Sequence, residues 1–246
     1  MIETYNEYHL GDNLIHLNWL RRTGVPSIHY CHPEYIPQLE DLTENRRITL
    51  KPLSEKTPQA IDSWINADGS FNNVPYRRNW VFFHLQHFSK LARKLNVKVP
   101  TFNRNDLLLD YPALIKSNPL CKAFDFLIIN SQPRSGQFPA FNQHEFKVLT
   151  CHLAKSYRVI TTEPTGYAPS TIEAGLSVSQ IGSLSRFCHS IISVNTGPMW
   201  PTFNPYTNTK LRIIYCNVHH FPLTDHTITI NNIPDTYNIL NQPSTP

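Results

Sequence analysis

"FDFLIINSQ", residues 124–132, is an apolar run that breaks at Asn130 into polar residues, and it decides the fold. Six nearly uninterrupted apolar positions, rich in Phe and Ile, describe a strand covered on both faces, as in parallel sheets. "NQHEFKVLTCHLA" (142–154) follows as a helix, "RVITTEP" (158–164) as a strand and "VSQIGSLSRFC" (178–188) as a second helix. "SIISVNTG" (190–197) and "KLRIIYCNV" (210–218) add two more strands. Strands alternating with helices of this length predict a doubly wound α/β domain. The tail "NILNQPSTP" is expected to fray.

The first half carries the same alternation. A strand is expected over Glu3–His9, a helix over Asn13–Arg22, a strand in "PSIHYCH" (26–32), a short helix over Glu34–Leu42 and a strand in "RITLKPL" (47–53). The plainest helix is "NWVFFHLQHFSKLARKL", with Val81, Leu85, Phe88, Ala92 and Leu95 along one face and Arg93 and Lys94 at the end of the dipole. "KVPTFNRNDLLLDYPALIKSNPL" (98–120) has three prolines and little periodicity, which marks a crossover. The expected division is residues 1–115 and 116–246, two Rossmann-like domains of which the first is small.

With 246 residues, 40% hydrophobic and 11% aromatic, the chain has ample material for packed cores. The net charge of +4 comes from scattered basic residues, which suits a small anionic ligand better than a nucleic-acid track. Arg77, Arg78 and Trp80 supply only a fragment of a basic aromatic face. Five widely spaced cysteines, an odd number, read as reduced thiols of a cytoplasmic protein. No signal peptide is read in "MIETYNEYHL", and no apolar run approaches the ~18 residues of a membrane span.

Missing motifs narrow the chemistry. The chain contains no G-x-G-x-x-G, P-loop, nucleophile elbow, C-x-x-C, H-E-x-x-H or D-x-D sequence. Nucleotide chemistry here is therefore expected to proceed without a metal or other cofactor. Histidines cluster in "IHYCHPE" (28–34), at His84 and His87, and in "VHHFPLTDH" (218–226), so a histidine-metal hydrolase is the rival enzyme reading.

Two strand-to-helix junctions remain, the places where open α/β sheets bind ligands. In "YHLGDNLIHLNWLRR" (8–22), Gly11 permits a tight turn and Asp12 suits the N-cap of the helix that follows. In "SIISVNTGPMWPTF" (190–203) the strand runs into Asn195, Thr196 and Gly197, with Pro198 opening a helix, an arrangement suited to phosphate.

In this order, the two stretches resemble glycosyltransferase family 9, the ADP-heptose:lipopolysaccharide heptosyltransferases and their relatives. The resemblance rests on "LGDNLIHLNWLRR" and "LSVSQIGSLSRFCHSIISVNTGPMW", about forty residues in all. It implies a GT-B fold with two Rossmann-like domains facing a cleft, acceptor on the first and nucleotide sugar on the second. It implies inversion at the anomeric carbon, a cytoplasmic enzyme and peripheral membrane contact through a glycan or glycolipid acceptor. Asp12 would be the general base, flanked by Gly11 and Asn13 on the acceptor side. Asn195, Thr196 and Gly197 would hold the donor diphosphate. Ser131, Arg134 and Gln137 would join them from the loop after residue 129, and Glu163 would reach the ribose. The chain departs from the family where Asn195 replaces an acid, Trp200 a histidine and Gln137 a lysine. These departures and the short length leave open a noncatalytic nucleotide- or glycan-binding relative.

Overall fold

The structure of the chain, a computed structural model, describes residues 1–43, 47–65, 67, 80–98, 103–116, 120, 122–134, 137–217, 223–224 and 226–241. The elements run β1 (Ile2–Tyr5), α1 (Leu10–Thr23), β2 (Ser27–Cys31), α2 (Ile36–Leu39), β3 (Ile48–Pro52), β4 (Ile61–Asp62), α3 (Trp80–Lys94), β5 (Phe124–Ile129), α4 (Gln143–Leu153), β6 (Val159–Thr161), α5 (Val178–Ser185), β7 (Cys188–Val194), β8 (Leu211–Tyr215), β9 (Thr227–Ile230) and α6 (Pro234–Leu240).

Among the described residues two separate sheets form, and every strand pair in them is parallel. The first has the order β3-β2-β1-β4 and the second β6-β5-β7-β8-β9. In each sheet the strand order reverses once, between β1 and β4 and between β5 and β7. Loops leaving the carboxyl ends of strands beside such a reversal diverge and open a crevice. The second sheet is covered on both faces, which explains its apolar strands: Phe126 and Ile128 of β5 pack with Phe146 and Leu149 of α4, whereas Leu127 and Ile129 turn toward Ile181 and Leu184 of α5.

The core containing Leu127 and Ile181 continues without a break into the first half, through Met199, Trp200 and Phe203 to Leu14, Leu17 and Leu20 of α1. The expected crossover takes part in it. Among its described residues, 3-10 turns at Arg104–Leu107 and Pro112–Ile115 bury Leu107, Leu109, Tyr111 and Leu114, and Asn18 of α1 donates to the carbonyls of Asp106 and Leu108 at 3.1 Å each. Low periodicity here reflects irregular backbone, and the proline-rich segment still packs as core.

Several boundaries differ from the sequence reading. α1 begins at Leu10 with His9 as its N-cap, so Gly11 and Asp12 lie inside the first helical turn and Asp12 is not the cap. Gly11 shows no positive φ, and Asn13 belongs to the helix instead of a turn. After β7 the chain enters a 3-10 helix, Gly197–Thr202, where Pro201 restricts continuation. β9 and α6 were not expected; Tyr237, Ile239 and Leu240 of α6 pack on the second core, so Asn238–Leu240 of the tail are helical. Arg77, Arg78, Cys121, His219 and His220 lie outside the described residues, as does the side chain of Trp80.

Candidate active site

A cleft of about 820 Å³ lies between the two halves, at the carboxyl ends of β1, β5, β6 and β7. Gly11 and Asp12 line it from the first half; Ser131, Arg134, Gln137, Glu163, Asn195, Thr196 and Gly197 line it from the second. Folding thus brings the two sequence motifs to one cavity. Asn13 is the exception: it is buried, its Nδ2 donates to the His9 carbonyl at 2.9 Å, and its Oδ1 lies 2.8 Å from His29 Nε2.

Asp12 occupies the third position of α1, where a carboxylate faces the unpaired N–H groups of the helix start. Burial raises its carboxyl to about 6, and a hydrogen bond from the His9 backbone N–H works in the opposite direction. A carboxyl poised there is largely ionised at neutral pH yet more basic than an exposed aspartate. It combines a capping contact with a place in the cleft.

Glycine at position 11 has a steric cause. A Cβ there would lie 2.4 Å from Trp200 Nε1 and 2.5 Å from Trp200 Cδ1. A Cβ on Gly197 would lie 2.9 Å from Leu10 Cδ2. The two glycines of the two motifs therefore face one seam, where the first turn of α1 meets the 3-10 helix after β7. Gly182 does the same one layer deeper, with Pro201 Cβ 2.7 Å from the position of a Cβ.

On the second half, the loops after β5 and β6 are tied together by Asn130, which no motif marked. Its Nδ2 donates to the Glu163 carbonyl at 3.2 Å, and its Oδ1 accepts from the Glu163 N–H at 2.9 Å. Ser131 Oγ donates to Thr162 Oγ1 at 2.9 Å. Asn195 is buried and donates through Nδ2 to Gln137 Oε1, joining the loop after β5 to the turn after β7. The only advance signal for Asn130 was the break from apolar to polar at a strand end.

Behind the turn, Arg212 of β8 is fully buried, with bonds from its guanidinium to Thr202 Oγ1 at 2.6 Å and to the Thr202 carbonyl at 2.8 Å. Its guanidinium also lies 4.1 Å from the centre of the Phe203 ring. It anchors the far end of the 3-10 helix and places a cation in the same region. Sequence periodicity had assigned Arg212 simply to a strand.

Arg134 stands at the mouth of the cleft, bonded to Glu34 of the other half at 2.7 Å. With side-chain exposures of 69% and 56%, the pair is screened by water, and its net worth is about 0–1 kcal/mol. The halves are held more firmly at the back, where Gln38 Oε1 accepts from the Val178 N–H at 3.1 Å and Ser179 Oγ donates to Asp41. Val178 and Ser179 open α5, whose N-cap Ser177 and Gln180 form a capping box.

The histidine clusters do not assemble into a metal set: among the described residues no three His, Cys, Asp or Glu side chains are placed to hold an ion. His29 is buried in a hydrogen-bond chain, His32 Nε2 lies 2.8 Å from the Glu7 carbonyl, and His87 Nε2 lies 2.9 Å from the Ser63 carbonyl. Cys31, Cys151 and Cys188 are free thiols, and burial pushes Cys31 and Cys188 up to about 12. Among the described residues no helix is long and apolar enough to cross a membrane.

No family model matches the chain, and no curated protein matches its sequence. Solved structures do match. E. coli ADP-heptose lipopolysaccharide heptosyltransferase II superposes with a TM-score of 0.54 at 13% identity, over 94% of this chain and 90% of that one. The iron-containing dodecameric glycosyltransferase TibC from enterotoxigenic E. coli superposes with a TM-score of 0.50 at 15% identity, over 92% of this chain. TibC in complex with ADP-D-β-D-heptose gives 0.51 at 14% identity. The chain spans 63% of the length of TibC.

Proposed function

We infer that the chain, which has the two-sheet GT-B-like fold of these heptosyltransferases that its motifs led one to expect, works across the cleft between its halves. From the fold and the cleft together we propose that it is an inverting glycosyltransferase that moves a sugar from a nucleoside-diphosphate sugar to a glycan or glycolipid hydroxyl. The observation that carries this reading is the meeting of Asp12 and the Asn195–Gly197 turn in one cleft. A fold alone hosts many activities, so the site has to bear the argument.

In this reading Asp12 takes the proton of the acceptor hydroxyl as its oxygen attacks the anomeric carbon from the face opposite the diphosphate. The bond to the diphosphate breaks, and the electron pair leaves with it. A carboxyl near 6 has the basicity this step needs while remaining ionised at neutral pH. The backbone N–H of Gly197 would bind the diphosphate, with the Thr196 hydroxyl and Arg134 alongside; Pro198 has no N–H, and that of Met199 donates to the Thr196 carbonyl at 3.0 Å. Ser131 and Gln137 would line the phosphate path, and Glu163 would accept from the ribose hydroxyls. Charge on the leaving diphosphate falls to these groups in a metal-independent reaction. Residues 1–115 would form the acceptor domain and residues 116–246 the donor domain, with any membrane contact made through the acceptor.

A panel of nucleoside diphosphates and their sugars, read by thermal shift, tests donor binding, because a ligand of the folded state raises its stability. Transfer by the wild type that is lost in Asp12→Asn supports the enzyme. Binding with no transfer at any acceptor would favour a nucleotide-binding relative.

A further inference from the structure

Beneath Asp12 lies a chain of buried polar groups that the reaction above does not use. His16, one helical turn after Asp12, has Nε2 3.0 Å from Thr4 Oγ1; Thr4 Oγ1 is 3.0 Å from His29 Nδ1; His29 Nε2 is 2.8 Å from Asn13 Oδ1. All four side chains are buried.

The direction of every hydrogen in this chain follows from its far end. Asn13 Nδ2 donates to the His9 carbonyl, so the atom facing His29 is the Asn13 oxygen, and His29 Nε2 must carry a hydrogen. Burial lowers His29 to about 3, so the ring is neutral and its Nδ1 is bare. Thr4 must then donate its one hydrogen to His29 Nδ1 and accept from His16 Nε2–H. Burial, with His29 and His87 adding to it, holds His16 well below its ordinary range, so this ring is neutral too. Its Nδ1 is left as a lone pair, and it has no partner among the described residues. A buried acceptor of this kind is costly unless something donates to it.

His16 and Asp12 both line a second, small cavity of about 10 Å³, together with Ile15, Ser63, Ile65, His84, His87 and Phe88. That is about the space of one water, and the walls are polar enough to hold it. We propose that His16 is a positioning residue for Asp12: one water in this cavity donates one hydrogen to His16 Nδ1 and the other to the Asp12 carboxylate that awaits the acceptor's proton. The catalytic part of this proposal rests on the function proposed above. The proton stays on Asp12 and later leaves through the cleft, and His16 remains neutral throughout. The fixed lone pair orients the water so that its second hydrogen points at Asp12, which favours the carboxylate over the protonated carboxyl and offsets part of the effect of burial. The titratable groups facing His16 are Asp12 on its own helix, His29 from β2, and His84 and His87 from α3.

The test is the titration of Asp12 in carboxyl-labelled protein by carbon NMR, which needs no substrate. His16→Gln keeps a donor toward Thr4 and loses the Nδ1 acceptor; His16→Asn keeps an acceptor near the Nδ1 position. Asp12 is expected to titrate higher by roughly half a unit or more in His16→Gln and near wild type in His16→Asn. Thr4→Val, which leaves His16 in place but releases its tautomer, is expected to shift Asp12 in the same direction as His16→Gln and stands in if that variant does not fold. An unchanged Asp12 titration in His16→Gln and Thr4→Val, or equal shifts in His16→Gln and His16→Asn, would overturn the proposal. Wild-type transfer by Asp12→Asn would instead remove the catalytic reading and leave the measured coupling intact.

Discussion

Trp200 lies directly over Gly11, its Nε1 2.4 Å from where a β-carbon would stand. This contact joins the first turn of α1 to the 3-10 helix after β7, and with it the two halves of the site. Trp200 is itself 6% exposed and packs on Phe203 at a ring separation of 5.9 Å, which restricts how far it can retreat.

Gly11→Ala is therefore expected to destabilise the fold despite alanine's better helix propensity. Overpacking of this kind costs about 1–3 kcal/mol, against a gain of at most ~1 kcal/mol from propensity. Denaturant unfolding reads the balance. Adding Trp200→Phe should return part of the loss, since the smaller ring removes the clashing Nε1.

Asp12 gives a pH dependence with a definite sign. Its carboxyl is raised in the fold to about 6 from an ordinary value near 4, so between those limits the folded state binds more protons than the unfolded one. The Asp12 contribution to stability is full below about pH 4 and is lost as pH rises through 6. Asp12→Asn should be the more stable protein at pH 7, on the order of 1–2 kcal/mol, with the difference closing toward pH 4. The transfer rate of the wild type should fall on the acid side of about 6. Thermal unfolding and rates across pH 4–8 check both; a difference that grows toward pH 4 would contradict the burial argument.

If Arg134 binds the donor as proposed, its pair with Glu34 is expected to bear on donor affinity more than on stability. Glu34→Gln should change unfolding by less than about 0.5 kcal/mol, because the pair is largely solvated. The same change removes a competing anion from Arg134 and should tighten nucleoside-diphosphate binding several-fold, whereas Arg134→Ala should weaken it by about tenfold. Calorimetric titration at fixed low salt separates the two.

Arg212→Lys is expected to cost about 2 kcal/mol despite conserving charge. A lysine cannot reproduce the two guanidinium bonds to Thr202 or the stacking over Phe203. Amide exchange should quicken across Gly197–Thr202, and nucleotide affinity should fall with it. Unchanged exchange there would mean the turn holds its shape without the anchor.

Much of this molecule was legible in local pattern. The strands β5, β7 and β8 announce themselves as apolar runs because both faces of their sheet are covered, and α3 and α4 show helical periodicity. β9 did not, because Thr227–Ile230 is a short outer strand with alternating polar residues. The ordered motifs also pointed to Asp12, Ser131, Arg134, Gln137, Glu163 and the Asn195–Gly197 turn, which in the fold line one cleft.

By itself the sequence determined which segments are strands and helices and which chemical groups stand at their ends, since these depend on residues a few positions apart. Tertiary structure alone decided what those groups meet. It made Gly11 a requirement of Trp200 instead of a turn, turned Asn13 inward to His29, and paired Arg134 with Glu34. It also buried Asp12 enough to raise its carboxyl and left one nitrogen of His16 with no partner among the described residues. Close approach and desolvation arise only when distant segments pack together, and no local pattern in the chain records them.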